Sequence, residues 1–330
     1  MSGFLSLTGN TPLLRLERLC PRRDVEIWVK LEQFNPGGSA KDRTAEGLVE
    51  RAIATGQVST GQGETPALVE SSSGNLGMAL ARQALLRGWQ FHCVVDPRVN
   101  TATLATIKAL GATVHMVEEP DPSTGDWLAA RKKKVAQLLE EIPNAVNLDQ
   151  YSNTAAFDAH ANGTMTEIVR DMGVPDELYV AVSTTGTIGG CMQHLHDIGA
   201  DTRVVGVDAE GSVLFGGERG ERYLPGFGAG VVPPLSEDLH PHRVDRIPDV
   251  QSIVGARVLA KKEGILPGAS AGAVIAAILR QVPDLPSGTR VAAVLHDAGQ
   301  NYLDTIYNDD WVRETLGVDI NEEVARSGWV

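Results

Sequence analysis

The chain has 330 residues, with 29 basic against 42 acidic side chains and a formal net charge of −13. That excess of acid argues against a nucleic-acid or anionic-membrane surface, which would need a basic face. A hydrophobic content of 42% with 22% charged residues suits a globular protein, and the length accommodates two moderate domains.

The N-terminal stretch MSGFLSLTGNTPLLRLE lacks the basic and then apolar pattern of a signal peptide. Short β-rich runs then alternate with helical stretches. Strands are expected over 26–31, 67–70, 90–96, 113–117, 178–182, 203–208 and 290–296, and helices over 76–87, 101–110, 127–139, 188–198 and 271–281. This alternation predicts an α/β protein with parallel sheets flanked by helices on both faces. Continuous apolar runs such as Tyr179-Val180-Ala181-Val182 fit strands buried on both sides. The Gly- and Pro-rich segment 211–234 is too long for an ordinary connection and reads as a functional or partly disordered loop. Arg131 to Lys134 read as a solvated helix face, and the sequence leaves open whether the tail 321–330, of a kind that often stays loose, is ordered.

The longest uncharged apolar run, 268–279, falls short of the ~20 residues needed to span a bilayer. Cys20, Cys93 and Cys191 form no CxxC pair, and the histidines match no zinc pattern. A cytoplasmic protein without a metal is expected.

Four segments carry chemistry. Asn35-Pro36-Gly37-Gly38-Ser39-Ala40-Lys41-Asp42-Arg43 follows a strand and opens a helix, with Ser39 placed as its cap. The positive potential there disfavours the Lys41 ammonium and suits the amine to a Schiff base with an aldehyde. Glu70-Ser71-Ser72-Ser73-Gly74-Asn75-Leu76-Gly77 sets hydroxyls, an amide and open N–H groups at a helix start, an arrangement apt for a carboxylate. Ser183-Thr184-Thr185-Gly186-Thr187-Ile188-Gly189-Gly190 can present successive N–H groups to a phosphate. It is neither a dinucleotide fingerprint nor a Walker loop, so a phosphorylated cofactor fits it better than nucleotide hydrolysis. Gly268-Ala269-Ser270-Ala271-Gly272 matches the GxSxG of serine hydrolases. The charged, Gly- and Pro-broken residues before it do not make the strand that a nucleophile elbow needs, and Asp284 in a Pro-flanked loop is a poor third member beside His296.

In this order, and with Gly9-Asn10-Thr11-Pro12-Leu13, Gln150-Tyr151-Ser152-Asn153 and Gly226-Phe227-Gly228-Ala229-Gly230, the motifs resemble the fold-type-II pyridoxal-phosphate enzymes of the cysteine synthase/cystathionine β-synthase family over nearly the whole chain. The resemblance implies a two-domain, tryptophan synthase β-like fold, each domain a mostly parallel sheet flanked by helices. The larger cofactor-binding domain would comprise 1–41 plus 156–330. The smaller one, 42–155, would be mobile and close on the substrate carboxylate. A homodimer acting on amino-acid substrates is implied, with no nucleic-acid or membrane partner.

By the same resemblance, Lys41 is the Schiff-base lysine and proton shuttle, and Asn75 hydrogen-bonds the cofactor's ring hydroxyl. Ser183, Thr184, Thr185, Gly186 and Thr187 hold its phosphate, Ser270 faces the pyridine nitrogen, and Ser72, Ser73 and Gln150 bind the α-carboxylate. A neutral serine at the ring nitrogen suits β-elimination. The implied reaction is β-replacement by way of an α-aminoacrylate.

Several residues depart from ordinary sulfide-using members: Ser183 and Thr185 where glycine is usual, Leu76 after the asparagine, and Tyr151 where phenylalanine is usual. With Arg219, Arg222 and the run from His296 to Thr305, they resemble the branch that makes 2,3-diaminopropionate precursors for siderophores and peptide antibiotics. Members of that branch join O-phospho-L-serine to L-glutamate, giving N-(2-amino-2-carboxyethyl)-L-glutamate. A phosphate leaving group carries close to two negative charges, for which Arg131, Tyr151 and Ser183 are candidates; Arg219 or Arg222 could meet the carboxylates of glutamate. The alternatives are a cysteine synthase using O-acetylserine or O-phosphoserine with sulfide and, more remotely, a serine hydrolase built on Ser270.

Overall fold

A computed structural model describes residues 3–59 and 65–330. The chain divides into two compact units, Met1–Thr8 with Lys41–Ala156 and Gly9–Ala40 with Phe157–Val330.

The smaller unit is built on a four-stranded, all-parallel sheet of β3 (Ala67–Ser71), β4 (Gln90–Val95), β5 (Thr113–Met116) and β6 (Ala145–Val146), in the order β5-β4-β3-β6. Its helices are α1 (Lys41–Ala54), α2 (Asn75–Arg87), α3 (Thr101–Ala109) and α4 (Trp127–Glu141), with α5 (Ala155–Ala159) crossing into the other unit. Leu48, Leu68, Leu80, Phe91 and Ile107 are buried together and form the core. Helix α4 starts where the Asp126 carboxylate accepts the Ala129 N–H at 2.8 Å, a side-chain cap on a donor the helix cannot satisfy itself.

The larger unit carries β1 (Leu13–Arg15), β2 (Glu26–Leu31), β7 (Glu177–Ala181), β8 (Arg203–Ala209), β9 (Arg243–Ile247) and β10 (Arg290–Leu295), in the order β1-β2-β10-β7-β8-β9. Only β1 runs antiparallel to its neighbour. The helices are α6 (Thr166–Met172), α7 (Gly186–Asp197), α8 (Asp249–Glu263), α9 (Ala269–Gln281), α10 (Asp309–Leu316) and α11 (Ile320–Arg326), with a π-helical turn at His160–Met165. Helix α9 is buried from Ala269 to Leu279. It meets α8 at two glycines: a β-carbon at Gly255 would lie 2.2 Å from the Gly272 carbonyl oxygen, and one at Gly272 would lie 2.1 Å from that of Ser252. Any larger residue would force these helices apart.

Two segments that the sequence leaves open are ordered here. The tail is not loose: α11 buries Ile320 and Val324 against the core. The 211–234 segment is fastened through Ser212, whose hydroxyl accepts the Ala229 N–H at 2.9 Å, and through Arg246, which donates to the carbonyls of Leu214 and Phe215. Among the described residues no helix is long and apolar enough to cross a membrane.

Candidate active site

Both sheets end their parallel strands in loops that open helices, the place where α/β sheets hold ligands. In the larger unit, the C-terminal end of β10 is the organising point. The Ala40 N–H donates to the His296 carbonyl at 2.8 Å, and the Gly268 N–H donates to that of Asp297 at 3.1 Å. The backbone leading into Lys41 and the backbone leading into Ser270 are therefore fastened to consecutive residues. Tyr302 donates to the Asp297 carboxylate at 2.6 Å and Tyr307 to the Pro267 carbonyl at 2.6 Å, bracing this corner from the other side. Upstream, the Gly9 N–H donates to the Asn35 side chain at 2.9 Å, and Thr11 and Asn35 both donate to the Glu32 carboxylate. Two distant motifs of the sequence thus form one network. Lys41 is the first residue of α1 and half-buried.

Ser270 is the second residue of α9 and buried. What precedes it is the left-handed Gly264 that ends α8 and an irregular segment to Gly268, not a strand. The nucleophile elbow required by a serine hydrolase is therefore missing at Ser270.

Ser183, Thr184 and Thr185 lie between β7 and α7, and Gly186 and Thr187 are the first two residues of α7. Ser183 donates to the Gly228 carbonyl at 3.0 Å, and the Gly228 N–H donates to that of Val182 at 2.6 Å, so the Gly226–Gly230 motif backs this loop. Thr185 turns the chain in the left-handed region, with φ of 67°. The amides that follow open α7, a ready anion site at the positive end of a twelve-residue helix. The Thr187 hydroxyl lies 3.2 Å from His160 Nε2, and His160 Nδ1 lies 2.9 Å from the Thr164 hydroxyl. His160 is fully buried, and the sequence reading missed it. Gly189 and Gly190 serve packing rather than anion binding: added β-carbons would lie 2.3 Å from the Phe157 ring and from the Phe157 carbonyl oxygen, respectively.

In the smaller unit, Ser72 and Ser73 follow β3, and Asn75 opens α2. The buried Cys93 thiol donates to the Ser72 carbonyl at 3.0 Å; burial raises its pKa to about 12, so it stays a thiol. Gln150 is buried and donates to the Ser71 carbonyl at 3.1 Å, which ties its segment to the serine loop.

Within the face read as solvated over 131–134, Lys132 and Lys133 are exposed, but Arg131 is a correction. Its side chain is only 11% exposed; Nη1 donates to the Ser73 hydroxyl at 3.2 Å, and Nε lies 3.4 Å from the Asp96 carboxylate. Lys132 sits 4.9 Å from the centre of the Tyr151 ring, and Lys133 pairs with Asp121. Burial pushes the half-buried Tyr151 phenol up to about 12, against the pull of Arg131. Arg219, by contrast, donates to the Gly230 carbonyl, and the charge of Arg222 favours the ionised forms of Asp208 and Asp249.

Sequence reasoning also passed over Glu70. It is buried at the base of the serine loop, with Oε1 accepting the Ser71 N–H at 3.0 Å and Oε2 without a hydrogen-bond partner. Burial raises its pKa to about 7, although the Ser71 N–H, Asn147 and the Gln150 N–H favour the ionised form.

The model of the pyridoxal-phosphate-dependent enzymes matches residues 5–297 of the chain. The chain belongs to that family. Its structure is similar to that of the O-acetylserine-dependent cystathionine β-synthase of Helicobacter pylori, with 30% identity and a TM-score of 0.84, over 93% of this chain and 99% of that one. It is likewise similar to an O-ureido-L-serine synthase (30% identity, TM-score 0.84, 98% and 99% covered) and to the cysteine synthase of Entamoeba histolytica (27%, 0.84, 93% and 90%). Family and neighbours support a pyridoxal-phosphate-dependent β-replacement of the cysteine synthase type. The donor set suits that cofactor: an amine at a helix start, a hydroxyl-rich loop at the positive end of α7, and a neutral hydroxyl at the head of α9.

Proposed function

We propose that this pyridoxal-phosphate-dependent enzyme catalyses β-replacement on O-phospho-L-serine with L-glutamate as nucleophile, giving N-(2-amino-2-carboxyethyl)-L-glutamate and phosphate. The product is a 2,3-diaminopropionate precursor for a siderophore or peptide natural product. The observation that carries the reading is Arg131, drawn in from a helix that reads as solvated and bonded to Ser73 within the serine loop. A phosphate that leaves with close to two charges needs such a cation, whereas acetate needs it far less.

The bound cofactor supplies the electron sink for charge developing at the substrate Cα. Lys41 Nζ receives the Cα proton. Ser72, Ser73 and Gln150 orient the α-carboxylate, fixing the Cα–H bond for that transfer. Arg131, with Tyr151 and Ser183, takes up the charge of the departing phosphate. Asn75 holds the cofactor's ring hydroxyl, Ser183 through Thr187 its phosphate, and Ser270 its ring nitrogen. A homodimer is part of the proposal, and light scattering of the purified protein tests it.

The similarity to cysteine synthases favours a second reading, in which sulfide replaces glutamate. An absorbance titration of the holoenzyme separates the two. A visible band that shifts with O-phosphoserine and returns with glutamate supports the first. A band that shifts only with O-acetylserine and returns with sulfide supports the second. No band after adding pyridoxal phosphate would refute both.

A further inference from the structure

Asp96 follows the last residue of β4, and its side chain is 2% exposed. Its Oδ2 lies 3.4 Å from Arg131 Nε and 2.8 Å from Arg98 Nη2; its Oδ1 accepts from Arg98 Nε at 3.0 Å and from the Arg98 N–H at 3.1 Å. Arg98 is 62% exposed and packs over the Trp127 ring, whereas Arg131 is enclosed. Arg131 therefore touches two groups, a carboxylate at ionic distance and the Ser73 hydroxyl, and its buried Nε makes no hydrogen bond. A guanidinium has five N–H donors, so most remain available to an anion. Two guanidiniums against one carboxylate leave the cluster with a net positive charge.

We propose that Asp96 is a positioning residue for the leaving-group site: it fixes the Arg131 guanidinium beside Ser73 and so sets the preference for a phosphorylated amino-acid donor. The inference rests on the donor reading above. A long side chain without this anchor would sample several rotamers and lose entropy each time it met an anion. Burial alone would raise the Asp96 pKa, but Arg98 and Arg131 outweigh it and hold the carboxyl below its ordinary value, so the anchor is charged at neutral pH.

The test uses Asp96→Asn in the holoenzyme. KM for O-phosphoserine should rise about tenfold, the scale of one lost charge-assisted contact. The kcat should stay within about twofold, and kinetics with O-acetylserine should not move. Calorimetric titration with inorganic phosphate should weaken by a similar factor. Asp96→Asn combined with Arg131→Ala should be no worse than Arg131→Ala alone, because the anchor acts only through that side chain. Arg98→Ala, removing the exposed arm, should keep the donor preference. If Asp96→Asn does not fold, Asp96→Glu must show the same donor-selective loss. Equal losses with both donors, or additive effects in the double variant, would overturn the role. Wild-type enzyme that neither turns over O-phosphoserine nor binds phosphate would overturn the donor reading, and this role with it.

Discussion

Glu70 offers a test of the physical account of the serine loop. In the unfolded chain its carboxyl titrates near 4.5, and in the folded protein near 7, because burial disfavours the charge. For an acid whose pKa is raised by folding, the folded state binds the proton more tightly. Stability is then highest below pH 4.5, falls as pH rises through the interval, and levels off above 7. A separation of about 2.5 pH units, at 1.36 kcal/mol each, makes the loss about 3 kcal/mol. Glu70→Gln removes the titration and keeps an oxygen that can accept the Ser71 N–H, now donated to Oε1 at 3.0 Å. Urea unfolding of both proteins at pH 5 and pH 8 measures the effect. Glu70→Gln should gain stability over the wild type at pH 8, by up to about 3 kcal/mol, and the gap should shrink towards pH 5. Equal stabilities at pH 8, with the same pH slope in both proteins, would show that the carboxyl titrates normally and that the picture of the loop base is wrong.

Other perturbations follow from the same geometry. Arg131→Ala should lower kcat/KM for O-phosphoserine by about 10- to 150-fold, the range for one charged hydrogen bond, with little change for O-acetylserine and an unaltered cofactor band; steady-state assays with both donors check this. The fold should tolerate that change, because Asp96 keeps Arg98. Lys30→Met leaves Glu167 buried without the partner now 2.7 Å away and takes the Nζ donor from the Thr11 carbonyl, so thermal unfolding should report a loss of about 3–5 kcal/mol. Gly190→Ala drives a methyl into the Phe157 carbonyl, which should cost about 1–3 kcal/mol and weaken pyridoxal phosphate binding in fluorescence titrations.

The sequence made the central strands legible because most of their residues are apolar, and all of β3 and β7 is buried. The strands it did not reveal are short or polar. β9 reads Arg-Val-Asp-Arg-Ile at one sheet edge, β1 holds three residues at the other, and β6 has two. Edge strands carry charge as protection against pairing with another chain, so their pattern resembles a loop. The chemistry-bearing loops were legible for a different reason, since hydroxyls and glycines between a strand and a helix leave few other uses. What escaped was the support behind them. Glu70, Asp96 and His160 are single polar residues amid ordinary segments, and only tertiary structure shows them beneath a serine, an arginine and a threonine.

Arg131 shows most sharply why composition misleads. Four consecutive basic residues look like a solvated surface, and Lys132 and Lys133 are exposed, yet Arg131 reaches Asp96 and Ser73. Packing decides this. Val135 and Leu138 dock α4 against the sheet, and Arg131, four residues before Val135, shares their face while Lys132 and Lys133 face out. One residue inserted between Arg131 and Val135 would turn Arg131 by about 100° relative to that docked face and take its guanidinium away from both Ser73 and Asp96. The donor preference proposed for this enzyme is thus tied to the four-residue spacing between the arginine and the buried face of α4 as well as to the arginine.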